Sequence, residues 1–227
     1  SYVFKASFDK ANRSSIDSER GIGIEKGLKI LRKIRETFDI PVITDVHEDS
    51  PIDEVADVVD IIQTPAFLCR QTNFIVKVAS AMKPVNIKKG QFLSPREMVN
   101  VVKKAKSTGN NEIFVCERGA SFGYNNLVSD MRSLIILRET GCPVVFDASH
   151  SVQQPGSLLD QSGGESEYIP VLARAAVAVG VDALFIEAHP NPSKAMSDGK
   201  NSLDIKDLKD LLSSVIKINT IIKDNME

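Results

Sequence analysis

The first residues that could do chemistry form one short polar segment near the start of the chain. Residues 5–15 read Lys-Ala-Ser-Phe-Asp-Lys-Ala-Asn-Arg-Ser-Ser and follow the apolar run Tyr2–Phe4. The three cations share no helical face with apolar residues opposite, so the segment is predicted to be a strand end that continues into a loop. Its ammonium, guanidinium, hydroxyl and amide donors suit a small, doubly charged anion. The alternative is a solvated surface loop.

Six further apolar runs follow, and segments of helical periodicity separate them. Strands that alternate with helices indicate βαβ units and a parallel sheet, because parallel neighbours need a crossover connection. The predicted strands are Tyr2–Phe4, Val42–Thr44, Ile61–Gln63, Val85–Ile87, Ile113–Cys116, Val144–Phe146 and Ala183–Ile186.

Seven such units predict an eight-stranded (β/α) barrel that lacks one strand. The last predicted helix, 203–223, is followed by only a few polar residues, so the remaining strand is expected upstream of residue 1. Residues 1–227 are then one barrel domain, entered at its second strand. An open doubly wound sheet is the alternative, but no Gly-rich phosphate loop follows the first strand.

In a barrel of this kind the chemistry lies at the carboxyl ends of the strands and in the loops that follow them. All three histidines lie within four residues of a strand end. Two loops, 151–167 and 191–202, are longer than a compact barrel needs, and the first is Gly-rich, as lids often are. The polar residues at the strand ends are Lys5, Asp45, His47, Gln63, Lys88, Lys89, Arg118, Asp147, His150, Glu187 and His189.

Two sets of these residues predict a site. Cations that converge on one mouth would repel one another without an anion, so they predict a phosphate or carboxylate ligand, with Schiff-base chemistry at one lysine as the alternative. An imidazole with two carboxylates is a plausible set of ligands for a divalent metal, with ordinary hydrogen bonding at the strand ends as the alternative. The cations are Lys5, Lys10, Arg13, Arg70, Lys88 and Arg118, the Schiff-base candidate is Lys88, and the metal set is His150, Glu187 and Asp198 with His189 or Asp147 in reserve.

Composition excludes several other classes of function. The net charge of −2 gives no basic surface for nucleic acid, and no run of eighteen apolar residues predicts a membrane span. The three cysteines are widely spaced and form no CxxC motif, which indicates a reducing compartment, here the cytoplasm. The chain opens inside an apolar run, as a domain entered partway through would.

Several segments together resemble the 3-deoxy-D-manno-octulosonate 8-phosphate synthases, in register along essentially the whole chain. They include residues 5–15, Thr-Asp-Val-His-Glu at 44–48 and Gln-Thr-Pro-Ala-Phe-Leu at 63–68. The others are Arg-Gln-Thr at 70–72, Asn-Ile-Lys-Lys-Gly-Gln-Phe at 86–92, Glu-Arg-Gly at 117–119, Phe-Gly-Tyr at 122–124, Phe-Asp-Ala-Ser-His-Ser-Val-Gln at 146–153 and Glu-Ala-His-Pro at 187–190.

The resemblance implies a homotetrameric (β/α)8 barrel that condenses phosphoenolpyruvate with D-arabinose 5-phosphate for the lipopolysaccharide inner core. It implies that Lys10, Lys88, Arg118 and the segment from Gln63 to Ala66 hold phosphoenolpyruvate. It also implies that Asn12, Arg13 and Ser14 bind the pentose phosphate, and that Arg70 reaches this site from a neighbouring subunit. The implied catalytic residues are Lys10, Lys88, His150 and Asp198, and the implied substrate-binding residues also include Lys5, Ser7 and Asp45.

The same resemblance implies two classes, one that depends on a Zn, Fe or Mn type of ion and one that needs no metal. The class depends chiefly on a Cys or Asn of the first strand, so the fourth metal ligand is expected upstream of residue 1. His150, Glu187 and Asp198 are present in this chain, but Asp-Gly-Lys at 198–200 departs from the Asp-Ala-Ser of the metal-dependent class.

Two other functions fit part of the sequence. A Schiff-base aldolase would use Lys88 as its nucleophile. A non-catalytic phosphosugar-binding protein is the third hypothesis, because a barrel without its first strand exposes two strand edges.

Overall fold

The computed structural model describes residues 2–158 and 161–224. The chain divides into two compact units. The first unit consists of the residues up to 90 together with 97–115, and the second consists of 91–96 and the residues from 116 onward.

Strands and helices alternate along the first unit. Its pairs β1–β2, β2–β3 and β3–β4 are parallel, with Lys5 opposite Ile43, Asp45 opposite Gln63 and Gln63 opposite Asn86. The elements are β1 (Phe4–Lys5), α1 (Ile24–Phe38), β2 (Val42–Asp45), α2 (Ile52–Ala56), β3 (Ile61–Thr64), α3 (Thr72–Ala79), β4 (Val85–Lys88), α4 (Met98–Lys106) and β5 (Ile113–Glu117), whose last two residues belong to the second unit.

The second unit adds two parallel strands, β8 and β11, and three short two-stranded sheets. Its elements are β6 (Ala120–Ser121), β7 (Leu127–Val128), α5 (Arg132–Arg138), β8 (Val144–Asp147), β9 (Gln153–Leu158), β10 (Gln161–Gly164), α6 (Ile169–Val179), β11 (Ala183–Phe185), β12 (Ala188–His189), β13 (Leu203–Asp204) and α7 (Ile205–Asp224).

All seven predicted strands are present, so the parallel α/β architecture is confirmed. They are hydrogen-bonded in the order β1-β2-β3-β4-β5-β8-β11, which is also their order in the chain. Six of them extend one residue further than predicted, onto the polar residue at the carboxyl end. The first begins at Phe4 instead of Tyr2, and the seventh, β11, ends at Phe185 instead of Ile186. The eighth strand, the closure of a barrel and the single-domain organisation stay predictions.

Two segments differ from the expectation. The described part of 151–167 contains an antiparallel hairpin, β9 with β10, rather than an irregular loop. The final helix begins at Ile205 instead of residue 203, because Leu203 and Asp204 pair in parallel with Ala188 and His189.

The hydrophobic core of each unit lies between the strands and one face of each helix. In the first unit Val42, Ile62 and Ile87 of successive strands are fully buried. In the second, Phe146 of β8 is buried, as are Leu137 of α5 and Ala173 of α6. Strands whose residues are buried on both faces are typical of a parallel sheet covered by helices. None of the described helices combines the length and the apolar character that crossing a membrane requires.

Candidate active site

The polar segment 5–15 is held in place by one buried aromatic residue, Phe8. Its carbonyl accepts a hydrogen bond from the amide of Gly23, directly before α1. A Cβ on Gly27 would lie 2.4 Å from Cβ of Phe8, so only glycine allows α1 to approach this closely. On the outer side, Arg20 donates to both carboxylate oxygens of Asp9. The apolar anchor and the ion pair leave Lys5, Ser7 and Lys10 on the inner side of the segment.

In the first unit, four predicted site residues converge at the ends of β1 and β2. Ser7 Oγ donates to Asp45 Oδ1 at 2.5 Å, and Lys5 Nζ lies 3.2 Å from the same oxygen. Lys5 Nζ also donates to Ser7 Oγ at 2.8 Å, and Lys10 Nζ donates to that hydroxyl at 3.4 Å. One carboxylate therefore holds two ammonium groups near each other through a shared hydroxyl.

His47 extends this cluster, with Nε2 at 3.3 Å from Asp45 Oδ2. Burial alone would raise the pKa of Asp45, but the charge of Lys5, the close contact with His47 and the hydrogen bond from Ser7 hold that pKa well below its usual value. Burial alone would likewise lower the pKa of His47, but the close contact with the charged Asp45 outweighs it and raises the pKa. Asp45 is therefore an ionised, structurally fixed carboxylate.

The next two strands carry a buried amide pair and two buried lysines. Asn86 Nδ2 donates to Gln63 Oε1 at 3.0 Å across β3 and β4. Lys88, which ends β4, is 6% exposed, and Lys89 is 1% exposed with its Nζ donating to the carbonyl of Gly90 at 3.3 Å. Lys88 is therefore a buried amine at the carboxyl end of a strand, where binding of an anion or covalent chemistry is possible.

The remaining predicted site residues of the first unit lie outside these two clusters. Asn12 and Ser14 are exposed, and Arg13 is half-buried, with an Nε that has no hydrogen-bond partner among the described residues. Ala66 begins a 3-10 turn, Ala66–Leu68, directly after β3. Arg70 is exposed, and its carbonyl accepts a hydrogen bond from Lys104 Nζ.

In the second unit, Arg118 follows β5 and is 4% exposed. Glu117 Oε1 accepts hydrogen bonds from the amides of Arg118 and Gly119, which fixes the turn. Arg118 Nη2 donates to Gln153 Oε1 at 2.7 Å, while its Nη1 has no hydrogen-bond partner within 2–158 and 161–224. Burial lowers the pKa of this guanidinium, and the charges of Asp147, Glu117 and Asp198 partly oppose that effect. A buried cation with one unsatisfied nitrogen is suited to bind an anion.

His150 and Asp198, two of the predicted metal ligands, lie near each other in the same unit. His150 Nδ1 is 2.8 Å from Asp147 Oδ2, and Asp147 Oδ1 accepts the amides of Ser149 and His150. His150 Nε2 lies 4.0 Å from Asp198 Oδ1. A buried carboxylate at one ring nitrogen fixes the tautomer and leaves the other nitrogen as a potential ligand, an arrangement common at metal sites.

Glu187 is placed by its backbone, since its amide donates to Ser149 Oγ at 2.8 Å. Within the described residues no group of three or more His, Cys, Asp or Glu side chains is arranged to hold a metal ion. The donor chemistry of His150 and Asp198 fits a divalent ion, and the full ligand set with Glu187 stays a prediction.

Among the side chains of these clusters that were not predicted as site residues are His47, Asn86 and Gln153. His47 and Asn86 each carried a signal, because both lie at or directly after a strand end. Gln153 ends the segment 146–153 that carries the resemblance, but no role was assigned to it, and it lies in a stretch predicted to be a long loop.

Comparison with known proteins agrees with the resemblance. Residues 1–224 match the model of the DAHP synthetase I family. A 2-dehydro-3-deoxyphosphooctonate aldolase of Francisella tularensis subsp. novicida (strain U112) is 63% identical over 222 residues, which are 98% of this chain and 81% of that protein. A protein of the same name from Legionella pneumophila (strain Corby) is 64% identical over 222 residues, with the same coverage. The chain therefore belongs to the DAHP synthetase I family and, within it, to the group of the 2-dehydro-3-deoxyphosphooctonate aldolases.

Proposed function

We propose that this chain condenses phosphoenolpyruvate with D-arabinose 5-phosphate and water to give 3-deoxy-D-manno-octulosonate 8-phosphate and inorganic phosphate. It is thus a 3-deoxy-8-phosphooctulonate synthase, and its product serves the inner core of lipopolysaccharide. Membership of the family supports this reaction, since two relatives at 63% and 64% identity carry the name of that activity.

The observation that carries the proposal is the guanidinium of Arg118. It is buried, it donates to a neutral amide, and its Nη1 has no partner among the described residues. An unpaired buried N–H costs free energy, and a phosphate or carboxylate oxygen supplies the missing acceptor. Phosphoenolpyruvate carries both groups.

We assign phosphoenolpyruvate to Lys10, Lys88, Arg118 and the segment from Gln63 to Ala66. We assign the pentose phosphate to Asn12, Arg13 and Ser14, with Lys5, Ser7 and Asp45 ordering that end of the site. The exposed positions of Asn12 and Ser14 and the unpartnered Nε of Arg13 support this division, because a mobile phosphate group needs accessible donors.

The reaction forms one carbon–carbon bond and breaks one carbon–oxygen bond. Carbon 3 of phosphoenolpyruvate attacks the aldehyde carbon, water adds at carbon 2, and phosphate leaves with the bridging oxygen. The cations hold two anions that would otherwise repel each other, which lowers the entropic and electrostatic cost of the encounter. Lys10 and Lys88 act at the reacting groups, and His150 and Asp198 are the candidates to position the attacking water and move its proton.

We also propose that His150, Glu187 and Asp198 hold a divalent ion of the Zn, Fe or Mn type, with a fourth ligand upstream of residue 1. Such an ion would polarise the water or the aldehyde oxygen when bound. Catalysis without a metal is the alternative, and the same His150 and Asp198 would then act on water directly.

The assembly we propose is a homotetramer in the cytoplasm. Arg70 is exposed, so its side chain is available to a neighbouring subunit's site. The three cysteines, Cys69, Cys116 and Cys142, are buried free thiols, which suits a reducing compartment.

The experiment that tests the function measures phosphate release and sugar-acid formation with both substrates, each substrate alone, and a shorter aldose phosphate in place of the pentose. Stoichiometric release with both substrates supports the proposal, and no release from folded protein contradicts it. A Schiff-base aldolase is separated by borohydride, which would trap a keto-substrate covalently on Lys88 and in this proposal traps nothing.

A further inference from the structure

Gln153 is placed by the backbone on both of its sides. It ends the 3-10 turn His150–Val152 and begins β9, where it pairs with Gly164 of β10. Its Oε1 accepts the hydrogen bond from Arg118 Nη2 at 2.7 Å. The position of the amide is therefore set by the turn and the hairpin.

The chemical nature of this acceptor matters because Arg118 is almost completely buried. A carboxylate at the same place would form a close ion pair with the guanidinium and neutralise it. An amide oxygen accepts the same N–H but brings no charge. Gln153 thus orients the guanidinium without adding to the negative charge that Asp147, Glu117 and Asp198 already bring near it.

We propose that Gln153 is a positioning residue that orients Arg118 through a neutral acceptor, so that Nη1 and the charge of the guanidinium are kept for an anionic group of phosphoenolpyruvate. This inference rests on the proposed function, in which Arg118 binds that substrate. It predicts that the charge at position 153, rather than the shape of the side chain, determines anion affinity.

The decisive variant is Gln153→Glu, which keeps the shape and adds one negative charge. We expect it to raise the Kd for phosphoenolpyruvate at least about tenfold, because a buried ion pair competes with the ligand for Arg118. Its thermal midpoint should equal or exceed that of the wild type. Gln153→Ala should raise the Kd less than Gln153→Glu does, because it removes an acceptor without adding charge.

The matched control is Gln154→Glu, because side chains that follow each other along a strand lie on opposite faces. It adds the same charge one residue further along β9 and should leave the Kd for phosphoenolpyruvate unchanged. Calorimetric titration with phosphoenolpyruvate and with inorganic phosphate, combined with thermal unfolding, measures both quantities. In steady-state kinetics, KM for phosphoenolpyruvate should rise in Gln153→Glu while KM for the pentose phosphate stays nearly constant.

A folded Gln153→Glu protein that binds phosphoenolpyruvate as tightly as the wild type would overturn the inference. If that variant does not fold, Gln153→Ala decides: weaker binding at an unchanged thermal midpoint supports the role, and unchanged binding refutes it. Arg118→Ala distinguishes the proposed role of Arg118 in binding phosphoenolpyruvate from the proposed role of Gln153 in orienting it. Wild-type affinity in Arg118→Ala would refute the assignment of Arg118 itself, whereas weak binding there with normal binding in Gln153→Glu would refute only the role of Gln153.

Discussion

His47 Nε2 lies 3.3 Å from Asp45 Oδ2, and both side chains are largely buried where β2 ends. The same carboxylate receives Ser7 and Lys5 on its other oxygen. A neutral imidazole would lose the charge–charge part of its attraction to this carboxylate. Protonation of His47 therefore strengthens its contact with the carboxylate that also binds Ser7 and Lys5.

The first prediction concerns the pKa of His47 in Asp45→Asn. The close contact with the charged Asp45 raises this pKa against the opposing effect of burial, so the pKa should fall in the variant, below its value in the wild type. NMR titration of the imidazole resonances measures it, and the chain has only three histidines to assign. Asp57→Asn, at an exposed position of the same unit, is the control. An unchanged His47 titration in Asp45→Asn would show that the pair is not coupled.

The same pair predicts how the stability of the wild type relative to Asp45→Asn depends on pH. The raised pKa of His47 gives stability that is complete below about 6.5, the unfolded value, and is lost as pH rises through the folded pKa. The lowered pKa of Asp45 gives stability that is present above about 3.9 and is lost as pH falls through its folded pKa. The difference in free energy of unfolding, about 1–3 kcal/mol, should therefore be largest between these two values. Urea denaturation at several pH values measures it, and a difference that keeps rising above neutral pH would contradict the assignment.

Lys10 gives a prediction that separates catalysis from stability. The only described hydrogen bond of its side chain is the one to Ser7 Oγ at 3.4 Å, so removal of that side chain should change the free energy of unfolding little. Turnover should fall by at least about 100-fold in Lys10→Ala, because a cation that stabilises developing charge is lost. Lys26→Ala, on the exposed face of α1, should retain full activity. Residual activity combined with a large loss of stability would mean that Lys10 is structural.

A stability prediction follows from a pair of reciprocal aspartate–valine hydrogen bonds that is present in both units. The carboxylate of Asp60 accepts the amide N–H of Val42 at 2.8 Å, and that of Asp182 accepts the amide of Val144 at 2.7 Å. In return, each aspartate donates its own amide to the carbonyl of the same valine. Asp60→Ala and Asp182→Ala should each lower the free energy of unfolding by about 1 kcal/mol, because both carboxylates are partly solvated. Urea denaturation measures this, with Asp57→Ala as the control, and equal stability of all variants would contradict it.

Much of the fold follows from the sequence because its strands are short apolar runs between amphipathic helices. Val42, Ile62 and Ile87 are buried as the pattern predicts. The ends of the strands were predicted less accurately, because Asp45, Lys88 and Asp147 continue the sheet as polar residues and give no hydrophobic signal.

The site was predicted less completely than the fold. Lys5, Ser7, Lys10 and Asp45 are brought together because they are close to two adjacent strand ends. Gln153 was missed because its hairpin lacks the alternation of apolar and polar residues that identifies a strand. That hairpin depends instead on tertiary contacts: a Cβ on Gly164 would lie 2.9 Å from the carbonyl oxygen of Lys200.

A metal test follows from His150 and Asp198. If the proposed ion is required, exhaustive chelation should reduce turnover to background, and readdition of one divalent ion should restore it. Direct metal analysis of the purified protein should find about one ion per chain. An unchanged rate in metal-free protein would contradict metal dependence and would favour direct action of His150 and Asp198 on water.

The central claim is the condensation with cleavage of the carbon–oxygen bond, and isotope transfer tests it most directly. The protein is incubated with D-arabinose 5-phosphate and phosphoenolpyruvate that carries ¹⁸O at the bridging oxygen, and both products are analysed by mass spectrometry. The proposed reaction predicts labelled inorganic phosphate and an equal amount of unlabelled eight-carbon sugar acid phosphate. Label retained in the sugar acid, or no phosphate release from folded protein, would contradict it.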